Sequence, residues 1–203
     1  MDLQLFLYCL LAYLVGSVPF ALVIGKIFYK TDIRQFGSKN LGGTNAGRVL
    51  GKKAGVSVIL LDIFKAMIVM LFSKSIGNLS FEQLLIVGFF VNVGHALPVF
   101  AKFKGGKCVS TFFGFLISII YFNPDYYLLL VGSLAAFILI LFIFKMVSLA
   151  SIISSIYCCC FSLIYQNWYL SITLSILTLI IIYRHRANIT RIINKSENKI
   201  SWI

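Results

Sequence analysis

Three polar segments carry residues suited to holding anions in an otherwise lipid-like chain: Gly37 to Arg48 (GSKNLGGTNAGR), Lys102 to Lys107 (KFKGGK) and His185 to Arg191 (HRANITR). Glycine lets backbone N–H groups approach an anion closely, and lysine or arginine beside it supplies the countercharge. Three such segments on one face would make a site for more than one phosphate. Counting the apolar runs between them places all three on the same side of a membrane.

Those runs are the elements that must position the polar segments. The chain has 203 residues, 60% of them apolar and only 12% charged, with a mean hydropathy of +0.97. No ordinary water-soluble domain has that composition. Runs near the ~20 residues needed to cross hydrocarbon fall at about 3-25, 54-73, 82-101, 108-124, 126-144, 147-165 and 167-183. The expectation is an all-α, polytopic integral membrane protein with seven transmembrane helices and a single membrane domain over 1-203. The fourth run is the weakest. Its uninterrupted apolar part, Val109 to Phe122, is short and must borrow from the glycine-rich segment before it.

Charge placement gives an independent test. With an outside N-terminus and a cytoplasmic C-terminus, all of the 18 Lys and Arg residues except Lys65 and Lys74 fall in inside segments. The positive-inside rule selects that orientation. Trp168, Tyr169 and Tyr183 bracket the last span as interfacial aromatics do. The net charge of +12 then orients the protein and attracts anionic membrane lipid. Nucleic acid is not an expected partner, since no soluble basic domain exists to hold a duplex.

No cleavable signal peptide is expected, because the first apolar run lacks a basic leader and is followed by a cationic loop. Cys9, Cys108 and the run Cys158, Cys159, Cys160 show no metal-ligand spacing and read as small packing residues, so no metal site is expected. Within the spans, Asp62 and Lys65 share a helical face, where an ion pair lowers the cost of burying either charge. Pro19 should bend the first helix, and Gly16, Ser17 and Gly25 permit close helix contact. His95, near Pro98, reads equally as a helix-end packing residue or as a group pointing into a polar pocket.

Read in order, GSVPFALVIGKIFYKTDIRQFGSKNLGGTNAGRVLGKKAG, HALPVFAKFKGGKCVST and HRANITRIINKSENKI resemble the three motif regions of the acyl-phosphate-dependent glycerol-3-phosphate acyltransferases of bacterial membranes. The resemblance spans residues 16 to 200 in order, spacing and topology. It implies transfer of a fatty acyl group from acyl phosphate to the 1-hydroxyl of sn-glycerol 3-phosphate, giving lysophosphatidic acid and phosphate. It also implies a bacterial cytoplasmic (inner) membrane location with the site on the cytoplasmic face. A soluble acyl-phosphate synthase is a candidate docking partner.

Two phosphate-bearing substrates, one with a long acyl chain, need an anion-lined pocket beside a greasy groove. In the first motif Ser38, Asn40, Thr44 and Asn45 can donate hydrogen bonds, the backbone of Gly37, Gly42 and Gly43 can wrap a phosphate, and Arg48 can grip one bidentately. By resemblance Ser38, Thr44 and Arg48 are site residues, and Gly105, Gly106 and Lys107 form the acyl-phosphate-binding loop. That loop is not a Walker loop, lacking its long glycine spacing and terminal Lys-Ser/Thr pair. His185, Asn188 and Glu197 match the third motif, and Ser148 matches a serine at the inner end of the sixth span. A histidine in an HR pair is by itself more often an interfacial anchor, so the resemblance is what assigns His185 to the site. The chain departs from the family at Lys39, Cys108 and Lys195, where glycine is usual, and at Gly43, where alanine is.

An acyl phosphate is a mixed anhydride with a good leaving group, so no covalent intermediate and no cofactor are required. The expected mechanism is direct attack, with the departing phosphate or His185 taking the proton and Ser38, Asn188 or backbone N–H groups steadying the oxyanion. The acid-oriented histidine of thioester-using acyltransferases is missing: five residues after His95 stands Phe100, and five after His185 stands Thr190. A small transporter or flippase for a phosphorylated metabolite or lipid remains the alternative. Against it stand the absence of repeated halves and the placement of the polar segments at one face instead of the midplane. A membrane acyltransferase using acyl-CoA or acyl carrier protein is a third reading.

Overall fold

A computed structural model describes residues 2–200. Among these the chain forms ten α-helices joined by turns and, at 30–42 and 97–108, by longer loops: α1 (Leu3–Gly16), α2 (Phe20–Tyr29), α3 (Gly43–Leu50), α4 (Lys52–Gly77), α5 (Phe81–Ala96), α6 (Val109–Phe122), α7 (Tyr127–Phe144), α8 (Val147–Ser162), α9 (Trp168–Arg184) and α10 (Arg186–Ile193). The described chain divides between Ser118 and Ile119, inside α6, into two compact units.

Five helical segments are long and apolar enough to cross a membrane: Leu3–Tyr29, Lys52–Gly77, Phe81–Ala101, Pro124–Phe144 and Val147–Tyr165. The pair α9 and α10, bent by 60°, makes a sixth if it counts as one span. The run at 108-124 becomes α6, whose 14 residues rise only about 21 Å against ~30 Å of hydrocarbon. Length and composition therefore support five or six spans, and α6 falls short on its own, as its interrupted apolar run foreshadows.

In the first unit, Asp2 opens α1 by accepting from the Leu5 N–H, and Ser80 with Gln83 forms a reciprocal cap on α5. The first span breaks at Ser17 to Pro19, as the proline requires, and α2 restarts at Phe20. Small residues seat α1 on α5. A Cβ on Gly16 would come within 2.3 Å of the Val91 carbonyl oxygen, and one on Gly94 within 2.3 Å of that of Tyr13. A cluster of Ala21, Leu22, Ile24, Ile33, Leu41, Ala46, Ala54, Val58 and Ala101 fills the space beneath the loop between α2 and α3. This core holds the first polar segment against α4.

In the second unit α7, α8 and α9 pack side by side. Asn167 caps α9 through the Leu170 N–H, and Thr178 of α9 donates to the Ser155 carbonyl of α8. The hydroxyls of Ser151, Ser154 and Ser155 bond to carbonyls three or four residues back in α8. Each buried hydroxyl is thus satisfied without an outside partner. The three successive cysteines face three ways: Cys158 is buried, Cys159 half-buried and Cys160 exposed.

Candidate active site

The first polar segment is built around Asn45. Its Oδ1 accepts from the Ser38 N–H at 2.8 Å, and its Nδ2 donates to the carbonyls of Ile33 (3.2 Å) and Phe36 (3.3 Å). With only 1% exposure, this amide is committed to shaping the loop. Asn45, expected among the substrate-binding residues, holds the backbone that presents Ser38. Upstream, Asp32 accepts from the Arg34 backbone N–H and forms an ion pair with its guanidinium. That guanidinium holds the Asp32 carboxyl down at about 2. Thr44 and Arg48, four residues apart, lie on the exposed face of α3, while Asn45 and Ala46 face the core. Ser38 is exposed and Asn40 half-buried. The N-terminus of α3 adds N–H groups that lack intrahelical partners and favour an anion.

The second segment folds back onto the end of α5. The Gly106 N–H donates to the His95 carbonyl at 3.0 Å. A Cβ on Gly105 would sit 2.2 Å from that oxygen, and one on Gly106 would sit 2.0 Å from Nε2 of the His95 ring. Only glycine allows this approach. Both glycines are buried and Lys107 is half-buried. Behind His95 lies the expected ion pair: Lys65 Nζ is 2.8 Å from Asp62 Oδ1, with both side chains 2% exposed. Lys65 also bonds to the Val18 carbonyl at 3.1 Å and to His95 Nδ1 at 3.0 Å, and lies over the Phe20 ring. His95 therefore does pack at a helix end, but into a polar cluster. Its position near Pro98, at the head of the second motif region, is the signal for it in the sequence.

The third segment begins where α9 bends into α10. His185, 2% exposed, stands at the bend with Nδ1 2.8 Å from the Ile181 carbonyl. A carbonyl only accepts, so Nδ1 carries the proton and Nε2 presents a lone pair when the ring is neutral. Downstream, Glu197 gathers three donors: Ser148 Oγ at 2.8 Å and Asn188 Nδ2 at 2.6 Å on Oε1, and Arg191 Nε at 2.8 Å on Oε2. Burial pushes the Glu197 carboxyl up, but these hydrogen bonds and the Arg191 charge outweigh it, and the group stays below its ordinary value. The Ile200 N–H closes the tail onto the Lys145 carbonyl at 2.8 Å. Ser148 and Glu197, expected as substrate contacts, and Asn188, expected to steady the oxyanion, are brought together by these bonds. Arg191, which had not been assigned to the site, joins them through the carboxylate.

Lys39, Cys108 and Lys195, the positions where the resembling family has glycine, all adopt left-handed backbone, with φ of 59°, 64° and 55°. Cys108 thus takes a backbone conformation that favours glycine, is fully buried and directs its Sγ at the Asn92 carbonyl 3.3 Å away.

The family model described as glycerol-3-phosphate acyltransferase matches residues 6–195. The chain belongs to this family. The glycerol-3-phosphate acyltransferase of Listeria welshimeri is 45% identical over 204 residues, covering 100% of both chains. That of Staphylococcus aureus is 46% identical over 201 residues, covering 96% of each. Crystal structures of PlsY (YgiH), an integral membrane glycerol 3-phosphate acyltransferase, share 35% identity and 97% of this chain. The glycerol 3-phosphate form aligns with a TM-score of 0.87 over 96% of its length, and the lysophosphatidic acid form with 0.83 over 95%. An all-helical, membrane-embedded acyltransferase accords with the apolar helices described above.

Proposed function

We propose that this chain transfers a fatty acyl group from acyl phosphate to the 1-hydroxyl of sn-glycerol 3-phosphate, releasing lysophosphatidic acid and inorganic phosphate. The observation that carries the reading is the near full-length likeness to an acyltransferase whose structures include a glycerol 3-phosphate form and a lysophosphatidic acid form. Ser38, Asn40, Thr44 and Arg48 are assigned to glycerol 3-phosphate, with Asn45 holding their loop. Gly105, Gly106 and Lys107 are assigned to the phosphoryl group of the donor. The glycerol oxygen attacks the acyl carbon, the bond from that carbon to the bridging phosphate oxygen breaks, and phosphate leaves with the electron pair. The hydroxyl proton goes to the departing phosphate or to Nε2 of His185. Oriented donors, Ser38 foremost, stabilise the oxyanion. Asn188 supports this chemistry through Glu197, which ties it to Ser148 and Arg191.

The same reading makes residues 1–203 one membrane domain of the bacterial cytoplasmic membrane, with seven crossings, the N-terminus outside and the polar segments inside. Support comes from the distribution of Lys and Arg. The short α6 would complete its crossing with the loop that precedes it. Lipid surrounds the exposed apolar faces, and a soluble synthase supplies the acyl phosphate.

The deciding assay gives purified protein labelled glycerol 3-phosphate with acyl phosphate or acyl-CoA, in the presence of a chelator. Lysophosphatidic acid should form from acyl phosphate alone. Equal rates with acyl-CoA, or a strict metal requirement, would refute the mechanism. Sidedness has its own test in a cysteine-free background. Ser75→Cys should react with an impermeant thiol reagent in intact cells and Lys199→Cys should not; the reverse pattern would invert the topology.

A further inference from the structure

Lys65, Asp62 and His95 lie outside the residues assigned to substrate, and they are buried where an unneeded charge is costly. The Lys65 ammonium has three donors, and three acceptors surround it: Asp62 Oδ1, the Val18 carbonyl and His95 Nδ1. Nδ1 lies nearer to the ammonium (3.0 Å) than to Asp62 Oδ1 (3.5 Å), and an ammonium has no lone pair, so Nδ1 accepts from Lys65 and the proton of a neutral imidazole resides on Nε2. That nitrogen faces Gly106, where even a methyl group would fall 2.0 Å away. The carbonyl of the same histidine accepts the Gly106 N–H. His95 thus holds the glycine loop by ring and by main chain. One turn back on α5, the Asn92 carbonyl takes the Cys108 thiol and anchors the far end of the loop. An ion pair needed only to fold the bundle would require neither this histidine nor a bare backbone at Gly106.

We propose that Asp62, Lys65 and His95 are positioning residues for the acyl donor. Asp62 holds the Lys65 ammonium in place, Lys65 sets the tautomer and angle of His95, and His95 sets the backbone of Gly105 to Lys107. With the Gly106 N–H committed to the His95 carbonyl, the rest of the loop backbone and Lys107 are held in place for phosphoryl oxygens before the donor arrives. None of the three touches substrate. The inference rests on the assignment of residues 105–107 to the phosphoryl group of the donor.

The experiment measures kcat and KM for both substrates on purified full-length protein carrying His95→Asn, His95→Gln or Lys107→Ala. His95→Asn keeps an acceptor for Lys65 but leaves nothing at the Nε2 position. It should raise the KM for acyl phosphate about tenfold or more while that for glycerol 3-phosphate stays within about twofold. His95→Gln, which can return an N–H to that position, should recover part of the loss. Should His95→Asn fold too poorly to assay, the near-isosteric Asp62→Asn should show the same split. With Cys9, Cys158, Cys159 and Cys160 replaced, Cys108 should be alkylated by N-ethylmaleimide several-fold faster in His95→Asn. A raised KM for acyl phosphate in Lys107→Ala with an unchanged one in His95→Asn would overturn the positioning inference alone. An unchanged KM in Lys107→Ala would overturn the loop assignment and the inference with it.

Discussion

Two carboxylates, one buried and one half-buried, anchor the two units in different ways. Asp62 sits in the middle of a span and faces a histidine from the next helix and a lysine on its own, which in turn bonds to the broken backbone of the first. Glu197 lies in the tail after α10 and gathers a hydroxyl, an amide and a guanidinium from elements that end near water. The Arg191 side chain is still 35% exposed, whereas Asp62 and Lys65 each expose only 2%. In the first cluster, losing one partner strands a charge where water cannot replace it. In the second, water can enter, so the cost falls more on geometry than on folding. One carboxylate holds helices together; the other ties the segment after α10 back onto α8 and α10.

Lys65→Met should therefore have the largest effect, a stability loss of about 3–5 kcal/mol, because it leaves Asp62 charged and unpaired. The Asp62→Asn, Lys65→Met double variant should recover much of that loss in thermal unfolding in detergent, yet still bind acyl phosphate poorly. Equal instability of the single and double variants would break the comparison, since stranded charge would then not be the cause.

Glu197→Gln should come next, lowering kcat with a smaller change in thermal midpoint. Its pH dependence has a definite sign. The folded carboxyl lies below its ordinary value of 4.5, so its stabilising contribution is complete above that value. It is lost as pH falls through the folded value. Wild-type protein should lose thermal stability over that acid window more steeply than Glu197→Gln. Parallel curves would show that the three donors do not favour the ionised form.

The smallest effects should come from the left-handed positions. Lys39→Gly and Lys195→Gly, both exposed, should each stabilise by up to ~1 kcal/mol by removing the Cβ clash of that conformation. Cys108→Gly should gain less or lose, because it also deletes a buried thiol and its contact with Asn92.

The spans were legible because hydrophobic length is a local property. The runs at 82-101, 126-144 and 147-165 agree with the helical segments to within two residues. The break at Pro19 and the Asp62–Lys65 pair were equally readable, since proline geometry and a three-residue helical spacing need no tertiary contact. The three polar segments announced themselves by composition, and their motif order carried the family. What neighbours each polar side chain was decided only by folding. Lys65 finds Val18 across 47 residues and His95 across 30, and Ser148 finds Glu197 across 49. Asn45 could equally have faced substrate or its own loop; packing of α3 on α4 turned it inward. Residue type determines what a side chain can donate or accept, but its partner is set by which helix faces are buried together, and that is a property of the whole chain.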